Sequence, residues 1–210
     1  MEIPGSPPQA GAMKTPASLP WILWMASASC SAQTVVIGLY DYSGLSAKET
    51  VRLTETADLV FAHSGIRIVW NHCRGALPVA SACEGEMQVN EIVVRLQPAG
   101  PRSSNNDGTL HLGRSIVDAE GGYHADAFVP AVRAQAAGFG LPFDFLMGYA
   151  VAHEIGHCLL GPGHSYAGLM RGAWNRKDAG EMSRLSMNLT KQEARKAVGR
   201  LALAEPAPQR

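Results

Sequence analysis

Two histidines and a glutamate in the second half of the chain have the spacing of a hydrolytic metal site. They are His153, Glu154 and His157, in the run His-Glu-Ile-Gly-His. Residues four apart on a helix lie one turn apart on the same face, so both imidazoles can bind one metal ion. Glu154 falls beside the pair, where a carboxylate serves as a general base rather than as a third ligand. A bound zinc ion would acidify a water and polarise a carbonyl, and the carboxylate would accept the proton.

The helix that carries these residues is predicted to run from about residue 144 to residue 160. Pro142 precedes it, and Gly161 with a further proline follows it. Glycine can adopt the left-handed conformation that ends a helix, and proline cannot continue one. The sharp turn predicted here can bring His164 back to the metal as a third nitrogen ligand. Three protein ligands are the set found in catalytic zinc sites.

These residues resemble the signature of the metzincin clan of zinc metallopeptidases, HExxHxxGxxH followed by a turn that contains methionine. In this chain the glycine and the last histidine each lie one residue later, and Met170 follows in the run Gly-Leu-Met-Arg. The sequence is also similar to a group of bacterial secreted proteins with HExxHLLLG and HSxxGIM motifs, more weakly over residues 34 to 203. The resemblance implies a Zn²⁺ cofactor, a peptide or protein substrate, Met170 as an apolar floor under the metal, Glu154 as the base, and the ligands His153, His157 and His164.

The third ligand has an alternative at the level of sequence. Glu181 lies at a distance downstream that suits the glutamate-ligated zinc peptidases, but it falls in residues 171 to 186, which are polar and predicted to be irregular. HExxH alone also arises by chance in unrelated helices. The glycine break, His164 and Met170 together favour a metal site with His164 as its third ligand.

The first 32 residues are predicted to be a secretory signal peptide or a disordered N-terminal segment. A lysine precedes a short apolar core, and small residues typical of a cleavage site follow it. A lipid anchor at Cys30, which lies in a degenerate lipoprotein box, is the less favoured alternative. The segment therefore predicts a secreted or periplasmic protein.

The cysteines agree with an exported protein. Cys73 and Cys83 flank a loop that a disulfide closes readily, and such bonds persist in oxidising compartments. A metal pair formed by these cysteines with His72 is the alternative. Cys158 lies on the metal helix away from His153 and is predicted to be a buried, free thiol.

Composition predicts one ordinary globular domain. The chain has 210 residues, 46% of them hydrophobic, with 18 basic and 18 acidic residues. A formal net charge of zero gives no reason to propose nucleic acid or an anionic membrane as a partner. After the N-terminal segment no apolar run is long enough to span a membrane. We expect a monomer, with a catalytic domain over residues 33 to 204 and a disordered tail over residues 205 to 210.

Hydrophobic periodicity predicts an α/β (α+β) fold, a metzincin-like twisted mixed sheet with an active-site helix and a C-terminal helix. One of the two central strands, 110–118 or 122–129, should form an antiparallel edge over the cleft, where a peptide can add as a further strand. Capping boxes at Ser46 and Thr190 open the first and last helices. The remaining predicted elements are strands 34–42, 66–71 and 91–97 and a short helix over 130–138.

The leading hypothesis is a secreted zinc-dependent metalloendopeptidase that uses His153, His157, His164 and Glu154. One alternative is a zinc-stabilised binding domain that does not cleave peptides, against which the intact Glu154 argues, because a structural zinc site has no use for a base. A second alternative is a zinc amidase that acts on a non-peptide or cell-wall amide, which would use the same chemistry.

Overall fold

A five-stranded mixed sheet supports the helices. The computed structural model describes residue 1 and residues 32 to 88, 90 to 100 and 110 to 204. The strand order in the sheet is β2-β1-β3-β5-β4, and every neighbouring pair is parallel except β4 with β5. β4 therefore lies at one edge and is the antiparallel edge strand expected from the sequence. The strands are β1 (Gln33–Asp41), β2 (Ile66–Arg74), β3 (Glu91–Gln97), β4 (Gly113–Asp118) and β5 (Gly121–Phe128).

One central helix, α3, contacts most of the other elements. It packs on β3, β4 and β5 and also against α1, α2 and α5. Alternate residues of β1 and β3, among them Ile37 and Val94, are completely buried in the same apolar core as α1 and α3, as expected of strands covered on one face. The helices in the described residues are α1 (Ala47–Ala62), α2 (Val129–Phe139), α3 (Phe143–Leu160), α4 (Arg176–Ser183) and α5 (Lys191–Ala204), with a 3₁₀ turn at Ser81–Glu84.

The predicted mixed α/β architecture is confirmed, with a helix over His153 to His157 and a C-terminal helix. Element bounds differ from the predicted ones by up to three residues, as for β4, which begins at Gly113 rather than at residue 110, and β2, which ends at Arg74 rather than at residue 71. The predicted disulfide between Cys73 and Cys83 is present, so the metal-pair alternative for these cysteines is wrong. Cys158 is free and buried. No helix in the described part of the chain is long and apolar enough to cross a membrane.

The prediction of an irregular segment over residues 171 to 186 is wrong, because α4 lies within it. The side chain of Asn175 accepts hydrogen bonds from the backbone N–H groups of Lys177 and Asp178, and Asp178 accepts one from the backbone of Asn175. This is a capping box built from asparagine and aspartate. Burial of Met182 on the inner face adds the packing that a short helix needs.

The predicted signal segment, with Cys30, lies outside the described residues except for its first and last positions. The predicted C-terminal tail also lies outside them. Both remain predictions.

Helices α1 and α3 meet at Gly148. A Cβ atom at this position would lie 2.5 Å from the Cβ of Thr56 and 2.6 Å from the backbone oxygen of Leu53. Real Cβ atoms essentially never make contacts shorter than 3.0 Å. Any side chain at Gly148 would therefore push the two helices apart. The absence of a Cβ at Gly148 thus sets how closely the metal helix packs against α1.

We predict that Gly148→Ala destabilises the metal-free protein by about 1–3 kcal/mol, because one added methyl overpacks the contact between the two helices. Gly138→Ala is the matched control: Gly138 is also helical, but nothing lies within 4 Å of a Cβ there. The free energy of unfolding of the control should exceed that of the wild type by about 0.5–1 kcal/mol, because alanine favours the helix over glycine. Urea unfolding of both variants in the presence of a chelator measures the difference, and equal midpoints would contradict the packing argument.

Candidate metal centre

Three histidines converge at one end of α3. His153 and His157 lie on successive turns of the helix, both buried, with their Nε2 atoms 3.1 Å apart. His164 lies beyond the end of the helix and is exposed. One ligand atom from each of the three lies within 4.8 Å of the other two. The structure thus brings together the three residues predicted as ligands.

The turn after α3 brings His164 back. Gly161 follows the last helical residue with a φ of 88°, and its N–H donates to the backbone oxygen of His157 at 2.8 Å. Gly163 also has a positive φ, 103°. L-residues with side chains rarely adopt these values, so two glycines around a proline permit a reversal that other residues would resist.

Hydrogen bonds orient the two helical imidazoles. Nδ1 of His153 donates to the backbone oxygen of Leu169 at 2.8 Å, and Nδ1 of His157 donates to that of Gly161 at 3.4 Å. Burial lowers the pKa of His153 to about 4 and also lowers the pKa of His157. Both rings are therefore neutral near pH 7, with their Nε2 lone pairs directed at a shared point.

This donor set fits a zinc ion. Neutral imidazoles whose second nitrogen donates to a carbonyl are the usual zinc ligands. Two nitrogens on one tetrahedral zinc ion lie roughly 3.3 Å apart for bonds of about 2.0–2.1 Å, close to the 3.1 Å between the Nε2 atoms of His153 and His157. Two lone pairs held this close repel one another, and a cation between them removes the repulsion.

Glu154 lies beside the histidines without joining them. Its side chain is buried, and Oε2 accepts a hydrogen bond from Oγ of Ser115 at 2.6 Å. Burial raises the pKa of Glu154 to about 7, against the effect of the Ser115 hydrogen bond, which lowers it. Ser115 belongs to the edge strand β4, so the strand that borders the cleft also orients this carboxylate. No sequence pattern predicted this contact, because Ser115 and Glu154 are 39 residues apart.

A cleft of about 530 Å³ exposes these groups to solvent. The β4 side forms one wall, α3 forms the floor, and the segment after Met170 forms the opposite wall. His111 lines the cleft, whereas Nε2 of His124 lies 3.7 Å from the carboxylate of Asp126. The lining also includes Gln135, Ala150, Glu154, Arg171, Gly172 and Trp174.

Met170 lies against the metal helix. It is 2% exposed, and a Cβ at Gly156, between the two helical histidines, would lie 2.4 Å from its sulfur. Trp174, which sequence reasoning had not singled out, places its ring edge-on to His153 with centroids 5.5 Å apart. Both residues therefore support the histidine cluster from the side of the following loop.

Glu181, the alternative third ligand, is not part of the cluster. It lies in α4, and among the described residues the group of side chains able to share a metal ion consists of the three histidines.

The start of α5 holds the loop that carries His164. Oγ of Ser165 donates to Glu193 Oε1, and the other oxygen of Glu193 accepts the backbone N–H of Thr190 at 2.7 Å. The backbone N–H of Leu169 donates to the oxygen of Asn188 at 2.9 Å. The capping box that opens α5 therefore restrains the residue next to His164.

We predict that Ser165→Ala weakens zinc binding about tenfold, because partners of this kind that orient a ligand contribute about 10- to 100-fold to affinity. Glu193→Ala should weaken it at least as much. Glu49→Ala is the matched control, since Glu49 closes the equivalent capping box of α1 with Ser46. Competition with a chromogenic chelator measures affinity. The prediction is wrong if Glu49→Ala lowers zinc affinity as much as Glu193→Ala does.

Comparison with protein-family models and with curated proteins gives no match. Among solved structures, the fold is similar to that of archaemetzincin from Methanopyrus kandleri, a crystal structure at 1.5 Å resolution. The two chains are 15% identical, the match covers 81% of this chain and 97% of that chain, and the TM-score is 0.51. At this identity the likeness shows the fold alone, which is the metzincin-like fold expected from the sequence.

Proposed function

We propose that this chain is an exported zinc-dependent metallopeptidase that hydrolyses peptide bonds. The observation that carries the proposal is the combination of three convergent histidines with a carboxylate that lies beside them, in one open cleft. A structural zinc site would fill its fourth position with a protein ligand. In the described residues no fourth side chain joins the cluster, which favours a catalytic site over the binding-domain alternative.

The site residues have separate roles in binding the metal, transferring the proton and positioning these groups. His153, His157 and His164 would hold zinc, which when bound supplies a Lewis acid and lowers the pKa of a water. Glu154 accepts the proton of the attacking water and passes it to the leaving amine nitrogen. Ser115 orients the carboxylate, and Met170 provides an apolar floor beneath the ligands.

The edge strand supports a peptide as substrate. In the part of the chain that the structure describes, β4 is an edge strand paired with β5, so backbone groups on its other side can bind an extended chain in the cleft. An amidase for a non-peptide or cell-wall amide would need the same histidines but not this edge. The disulfide between Cys73 and Cys83 supports export, because such bonds persist in oxidising compartments.

We predict one zinc ion per chain in the zinc-supplied protein, measured by elemental mass spectrometry. His153→Ala and His164→Ala should each lose it, since either change leaves two nitrogen ligands. Glu181→Gln is the control and should retain the metal. A folded wild-type protein that takes up no zinc would refute the proposed site, and loss of zinc in Glu181→Gln would reinstate the glutamate ligand.

We predict that Glu154→Gln retains zinc and loses hydrolysis by at least about a hundredfold, the usual contribution of a general base. The amide preserves the size of the side chain and its bond with Ser115 but cannot accept the proton. The rate of cleavage of a mixed peptide pool measures hydrolysis, and elemental mass spectrometry measures zinc retention. A variant that kept the wild-type rate would exclude Glu154 as the base.

A further inference from the structure

The cleft wall opposite β4 lies directly against the metal ligands. A Cβ at Gly172 would lie 2.9 Å from Cγ of His164, so the backbone at this residue packs on the imidazole ring. Trp174 contacts His153 from the same segment. Arg171, the residue between Met170 and Gly172, lines the cleft. Arg171 is therefore part of the wall that a substrate bound in the cleft would contact.

Arg171 is anchored on one side and open on the other. Its Nη1 donates to Oδ1 of Asp178 at 3.4 Å, while Oδ2 of that buried carboxylate accepts the backbone N–H of Asn175 at 2.7 Å. A guanidinium carries five N–H donors in a planar fork. The Arg171 side chain is 36% exposed. Asp178 thus anchors one nitrogen of the guanidinium, and the fork has further N–H donors that can bind a substrate group.

The charges that line the cleft are unbalanced. Of its described lining residues, the acidic one is Glu154, while Arg114 and Arg171 are basic. Each arginine contacts one buried carboxylate outside the lining, Arg114 with Asp126 at 3.1 Å and Arg171 with Asp178 at 3.4 Å. Arg171 differs from Arg114 because it belongs to the segment that packs on His153 and His164, so its positive charge beside these histidines favours an anionic group from the substrate.

The space next to Arg171 suits a side chain of moderate length. Gly172 and Ala173, which follow Arg171 in the chain and also line the cleft, are small and add little bulk to this wall. Gln135 also lines the cleft and carries an amide that can donate a hydrogen bond to a substrate. Carboxylates are the groups that arginine binds with two parallel N–H···O bonds.

We propose that Arg171 determines specificity by binding an aspartate or glutamate side chain of the substrate next to the scissile bond. This inference rests on the proposed function, because it concerns the peptide bound for hydrolysis.

The first test needs no variant. Zinc-loaded wild-type protein digests a proteome-derived peptide library, and mass spectrometry reads the residues on each side of every cut. We expect aspartate and glutamate to be enriched at one fixed position. A library left uncut would overturn the proposed function itself, whereas cuts without acidic enrichment would overturn this inference alone.

The second test uses three peptides that differ only at the enriched position, with glutamate, glutamine or lysine. Wild-type kcat/KM should favour glutamate over glutamine by about 10- to 100-fold, the range of a charge-assisted pair, and lysine should be poorest. Arg171→Gln should reduce the glutamate preference to near one, and Arg171→Glu should favour lysine. Retention of the glutamate preference in either variant would overturn the assignment.

Two further measurements test whether the preference comes from binding of the acidic side chain by Arg171, rather than from a change in folding or in the catalytic step. Arg176→Gln removes one positive charge from the exposed start of α4 and should keep the wild-type preference. Glu154→Gln, loaded with zinc, should bind the glutamate peptide more tightly than the glutamine peptide in titration calorimetry. Equal affinities there, or loss of preference in Arg176→Gln, would show that the selectivity does not come from a contact with Arg171.

Discussion

The structure depends on the cost of burying polar groups in α3. This helix is covered on nearly every side, yet it carries two histidines and a glutamate in its interior-facing turns. Each of these groups must find a partner, because an unpaired buried polar group costs several kilocalories. Leu169 supplies a carbonyl to His153, and Ser115 supplies a hydroxyl to Glu154. The loop after the helix and the edge strand are thus placed where the buried groups need them.

The C-terminal third of the chain adds a second layer of support through its helix caps. Asp178 closes the cap of α4 and also receives Arg171 from the cleft wall. Glu193 closes the cap of α5 and also receives Ser165, the neighbour of His164. In both cases one carboxylate oxygen satisfies a helix terminus and the other restrains the cleft. Two short helices without ligands of their own therefore position the loops that carry the site.

Sequence patterns predicted the elements whose signals are local. The apolar, β-branched run of β1, the alternation in β2, the Ser46 capping box and the spacing of His153 and His157 depend on residues a few positions apart. Contacts between residues far apart in the sequence were not predicted. Ser115 donates a hydrogen bond to Glu154, 39 residues further along the chain, and Trp174 contacts His153 from the loop after Met170. α4 was missed because its cap uses asparagine and aspartate and Gly180 weakens its helical signal. The choice between His164 and Glu181 also required distances in space, because both spacings suit a zinc ligand.

The extra residue relative to the metzincin signature lies in the helix rather than in the turn. α3 continues to Leu160 before Gly161 ends it, so three residues lie between His157 and the glycine, one more than in the signature. From that glycine to His164 the spacing matches the signature, with two intervening residues. An added helical residue rotates the start of the turn by about 100°, yet His164 still lies within 4.8 Å of both helical histidines. The positive φ values of Gly161 and Gly163 absorb that rotation, which explains how a departure in spacing leaves the three nitrogens together.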